Sequence, residues 1–154
     1  MTAVSQDTDF SCYLACLESF FKDADRTVTQ ESIIDSFPIE CHRGLANEGE
    51  FDFNETNNTK LEEHYGIRIK SKPKPALFAD LNHSDFIGAE NMKGQGVHHI
   101  VRFESRICSD KIRVMDPRNG SFEDWTEADF NNYKCYVFSV SIRKQGSDNT
   151  SYHP

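Results

Sequence analysis

Six residues of this chain have types and spacings that support thiol chemistry: Gln6, Cys12, Cys16, His98, His99 and Asp116. The two cysteines lie four residues apart in SQDTDFSCYLACLESFF, residues 5–21. A cysteine in the first turn of a helix feels the positive end of the macrodipole, which favours the nucleophilic thiolate. With Ser11 as N-cap, Cys12 takes that position. Cys16, one turn further in, shares an apolar face with Leu17 and Phe20 and reads as a small buried hydrophobe. A nucleophilic cysteine needs a base and a group to orient that base. His98 and His99 open VHHIVRF (97–103), and Asp116 closes KIRVMDP (111–117). Both stretches read as β-branched strands of a hairpin, so antiparallel pairing brings a histidine beside Asp116. Gln6 stands out only by its spacing to Cys12.

The two histidines cannot both serve, because strand alternation sends them to opposite faces. If 98 pairs with 116, then His98, Ile100, Val114 and Asp116 share a face. If 99 pairs with 116, then His99, Val101, Phe103, Ile112 and Val114 share one, with Arg102 and Arg113 outward. The second register gives the cleaner apolar face. The remaining histidines (42, 64, 83 and 153) are scattered, and no spacing with Cys41 supports a metal site.

The elements that must position these residues follow from periodicity. Tyr13, Leu14, Leu17, Phe20 and Phe21 recur at helical spacing over 11–23, with Glu18 and Lys22 an opposite-charge pair. Thr29, Glu31 and the apolar Ile33, Ile34 and Phe37 predict a short helix stopped at Pro38. Residues 41–58 read as a loop, TKLEEHYGI (59–67) as a helix ending at Gly66, and IRIKS with its Pro-interrupted continuation as an edge strand. CYVFSVSI (135–142) is a further strand, preceded by a turn and a short helix from about Thr126. Helices come first and an antiparallel sheet second, an α+β layout in one domain over 1–144, with 145–154 as a disordered tail.

Gln6-x5-Cys12 at a helix start, a strand-borne histidine and then an Asp-Pro-x-x-Gly turn (DPRNG, 116–120) together resemble the papain-like cysteine peptidases. The chain is most similar to their bacteriocin-processing C39-like group. The likeness runs from Gln6 to about Ile142. It implies a papain-like fold with the active site in a cleft between the helical half and the sheet. It also implies Cys12 as nucleophile, His98 as general acid/base, Asp116 as its orienter and Gln6 as oxyanion donor with the Cys12 backbone N–H. The family pattern favours His98, because the residues that follow it are Ile100 and Val101 after one intervening position. Tyr13 stands where such domains usually have glycine, so a ring beside the thiol is expected to narrow the cleft. No cofactor or metal is implied.

Composition bounds the rest. The 154 residues are 37% hydrophobic with 12 Phe and 5 Tyr, enough for a core without covalent staples. A net charge of −8 disfavours a nucleic-acid partner, even with a basic run at Lys70, Lys72 and Lys74. Five irregularly spaced cysteines argue against a disulfide framework and point to a reducing compartment. No apolar run is long enough for membrane insertion, and the N-terminus lacks a secretory pattern. The expectation is a cytoplasmic protein, or one delivered by a signal-peptide-independent route, acting on a protein or peptide substrate. Peptide-bond cleavage is the first reading. Glutamine deamidation or acyl transfer by an effector or toxin module uses the same machinery, and an inactive C39-like binding domain is the third reading.

Overall fold

The computed structural model describes residues 1–73 and 77–143. The basic residue Lys74 and the segment 145–154, expected as a tail, lie outside the described residues.

Three helices come first. α1 (Cys12–Asp23) buries Leu14, Leu17 and Phe21 at helical spacing. α2 (Gln30–Ser36) is capped by Thr29, whose side chain accepts from the Ser32 amide. α3 (Glu55–Tyr65) starts one turn earlier than the sequence suggested. Asn54 caps it by accepting from the Asn57 amide, so the polar end of the expected loop is helical. Gly66, at φ +74°, closes α3 in the left-handed conformation.

The strands are β1 (Ile67–Ser71), β2 (Phe86–Met92), β3 (Val97–Cys108), β4 (Lys111–Asp116), β5 (Ser121–Thr126) and β6 (Cys135–Ile142), with α4 (Glu127–Asn132) before the last. They form one antiparallel sheet in the order β1-β6-β2-β3-β4-β5. Both faces are covered. Phe86, Ile100 and Phe138 pack with α1, α2 and α3, while Ile87, Val101 and Val137, one residue along, pack with Phe78, Trp125 and Phe130. Burial on both faces removes polar alternation, which is why FIGAENM did not read as a strand. β5 escaped for the opposite reason: SFEDWT is a polar edge strand whose buried residue is Trp125.

The β3–β4 register carries the largest correction. Cys108 lies opposite Lys111, Arg106 opposite Ile112, and Phe103 opposite Val114. Ile107 and Glu104 are thus bulged out of β3, each advancing the pairing by one residue. Beyond Arg102↔Met115, the same count puts Asp116 opposite Val101. Residue 99, two positions from 101, has the strand parity of Asp116; residue 98 does not. Arg102, expected to point outward, is instead buried under α1, where Nη1 donates to Ser19 Oγ (2.8 Å) and Asp23 Oδ2 (2.8 Å). Arg113 is exposed, as that register requires.

Candidate active site

The three elements that matter meet at one place: the N-terminus of α1, the first residues of β3 and the end of β4. Cys12 is the first residue of α1 and is partly exposed. Ser11 occupies the N-cap, but its side chain makes no capping bond. Its hydroxyl accepts from the Thr8 amide (2.9 Å) and donates to Gln30 Oε1 (3.0 Å). The first-turn amides of α1 therefore have no side-chain cap.

His99 sits beside Cys12. Its Nε2 lies 2.5 Å from Asp116 Oδ1, and both side chains are nearly inaccessible, at 2% and 3%. This leaves Nδ1 uncommitted on the side of the Cys12 thiol, which also favours the charged ring. Burial alone pulls the His99 imidazole down, but the Asp116 and Cys12 contacts outweigh it and raise the pKa to about 9. Burial pushes the Asp116 carboxyl up, yet the His99 ring and the Arg118 backbone N–H (2.9 Å) hold it below its ordinary value.

His98, the residue favoured by the family pattern, is exposed. It lines the same cleft without being the histidine bonded to Asp116. The physical reason is pairing parity, which the alternation of Val101, Phe103, Ile112 and Val114 had signalled and which the two β3 bulges together leave unchanged.

Gln6 is held next to the Asp116 turn, its amide N–H donating to Pro117 O at 2.7 Å. Its side-chain Nε2 donates to Thr8 O (2.9 Å), which leaves the second amide hydrogen uncommitted in that bond. Tyr13 borders the cleft beside Cys12. Its ring is buried among Phe51, Phe53, Phe86 and Phe138, and its hydroxyl donates to Asn58 Oδ1 (2.8 Å). Cys16 is fully buried, its thiol donating to Ile100 O at 3.5 Å, and burial pushes its pKa well up.

Cys12 and His99 open onto a cleft of about 370 Å³, walled by Phe10, Phe53 and Tyr136 with Asp9 and Asp52 at its rim. Tyr136 was not singled out by the sequence. Its ring lies across Gly88 of β2, so close that a Cβ there would meet the ring at 2.1 Å. Gly88 becomes a signal of close approach once β2 is known to be a strand. A roomier hollow of about 580 Å³ between α3 and β1 contains no cysteine or histidine. Among the described residues no cluster of three or more His, Cys, Asp or Glu side chains is arranged to hold a metal. No described helix is long and apolar enough to cross a membrane.

No family model matches the sequence, and no curated protein matches it. Solved structures do match. The peptidase domain of Streptococcus ComA, a bi-functional ABC transporter involved in a quorum-sensing pathway, superposes with a TM-score of 0.61 at 13% identity. The match covers 92% of this chain and 98% of that domain. The α+β fold, a helical half packed on an antiparallel sheet, is that of the papain-like C39 peptidase domains.

Proposed function

We propose that the chain is a papain-like thiol hydrolase that cleaves a peptide bond in a protein or peptide substrate. The observation that carries this reading is the buried His99 ring, hydrogen-bonded to Asp116 and lining one cleft with Cys12. The peptidase fold supports it, as ComA's domain is a peptidase.

In the proposed cycle His99 holds the proton taken from Cys12, and Asp116 fixes the ring and favours its charged form. The sulfur attacks the carbonyl carbon, and the displaced electron pair gathers on the carbonyl oxygen. The Cys12 backbone N–H and the free Nε2 hydrogen of Gln6 stabilise that oxyanion, each such donor being worth about 3 kcal/mol. The intermediate collapses to a thioester as His99 protonates the leaving amine. His99 then deprotonates a water, which releases the acid and regenerates the thiol.

The test is mass spectrometry of peptides and proteins from a lysate treated with wild-type protein or Cys12→Ala. New chain termini that depend on Cys12 are expected. A Cys12-dependent glutamine-to-glutamate change without new termini would replace cleavage by deamidation.

A further inference from the structure

Gln30, on α2, is 1% exposed, yet all four bonds its amide can make at these positions are made. Nε2 donates to Ser5 O (3.0 Å) and to Glu18 Oε1 (2.9 Å). Oε1 accepts from the Asp7 amide (2.8 Å) and from the Ser11 hydroxyl (3.0 Å). The amide's orientation is forced, because the Asp7 N–H can only donate and the Ser5 carbonyl can only accept.

The partners are not arbitrary. Ser5 and Asp7 flank Gln6, and Ser11 immediately precedes Cys12. One buried amide thus ties the backbone on both sides of the oxyanion donor to the residue before the nucleophile. The same segment is pinned from its other side. Gln6 N–H donates to Pro117 O, and Gly120, at φ +61°, lets Ser5 approach to where a Cβ would stand 3.0 Å from its nitrogen. By engaging the Ser11 hydroxyl, Gln30 and Thr8 also keep it from capping the first-turn amides of α1.

We propose that Gln30 is a positioning residue that sets the separation between the Gln6 amide and Cys12, and so assembles the oxyanion site. This rests on the reading that Cys12 attacks a carbonyl. It goes beyond that reading by assigning a role on α2, a helix that supplies no reacting group.

The experiment compares two reactions of Cys12 in wild type, Gln30→Leu, Gln6→Ala and the double variant. In acylation by p-nitrophenyl acetate the sulfur attacks a carbonyl, an oxyanion forms, and p-nitrophenolate leaves. In alkylation by iodoacetamide the sulfur displaces iodide from a saturated carbon, and no oxyanion develops. Gln30→Leu is expected to slow acylation by about 10²-fold, the size of losing an oxyanion donor, while alkylation is unchanged. In the Gln6→Ala background it should slow acylation little further, since both changes disable the same group.

Unchanged acylation, a parallel fall in alkylation, or effects that multiply in the double variant would each overturn the role. Gln30→Glu keeps the two accepting bonds and loses the two donating ones, so it covers the case in which Gln30→Leu does not fold; it is expected to slow acylation and spare alkylation. A wild-type Cys12 that is alkylated but never acylated would overturn the carbonyl reading beneath the proposal, a result distinct from any difference between variants.

Discussion

At the scale of residues, the account turns on one imidazole. His99 has a carboxylate 2.5 Å from Nε2, and its pKa is raised to about 9 from an ordinary value near 6.5. A folded-state pKa above the unfolded one stabilises the fold fully below about pH 6.5, and that contribution is lost as pH rises through about 9. The difference in thermal midpoint between wild type and Asp116→Asn should therefore shrink as pH is raised from about 6 to about 10. A difference that stays constant across this window would mean that His99 is neutral throughout. The other thiols stand apart for a physical reason: burial pushes Cys41 and Cys135 up to about 12, and Cys16 well above its ordinary value. The placement of Cys12 and Asp116 was legible because each follows a local rule: a helix start and a strand end before a turn. The choice between adjacent histidines was not, because it depends on pairing across a hairpin.

At the scale of elements, pairing parity decides that choice, and two bulges decide how far along β3 Asp116 reaches. Without Ile107 and Glu104 displaced from the ladder, Asp116 would stand opposite Phe103 instead of Val101, further from the histidines along β3. Nothing in ESRIC announces a bulge, but the apolar alternation on either side records its outcome, since a register of the wrong parity would bury Arg113 and expose Val114. The helices and β6 were legible from periodicity and caps. β2 was hidden by burial on both faces, and β5 by its polarity. Gly88 shows how an unrecognised strand shapes the cleft. Replacing it with alanine drives a methyl group into the Tyr136 ring, and overpacking of this kind costs about 1–3 kcal/mol. Denaturant unfolding should show that cost for Gly88→Ala in the wild-type background and a much smaller one in Tyr136→Ala. Equal costs in the two backgrounds would mean that the ring does not rest on Gly88.

At the scale of the whole molecule, the site exists only when both halves are assembled. Cys12 arrives on a helix and His99 and Asp116 on strands from the far side of the chain, so no local stretch carries the constellation. The helix is seated by apolar packing and by polar anchors that include Arg102, bonded to Ser19 and Asp23 and lying over the Phe20 and Phe86 rings. That anchor fixes α1 against β3, and with it the approach of Cys12 to His99. The central claim is that His99, and not its neighbour, is the partner of Cys12. Its most direct test is the single-turnover rate of Cys12 acylation by p-nitrophenyl acetate in His98→Ala and His99→Ala. The structure predicts a loss of about 10²-fold or more for His99→Ala, as for removal of a general acid/base, and a rate close to wild type for His98→Ala. A fully folded His99→Ala that acylates at the wild-type rate, while His98→Ala is inert, would contradict it.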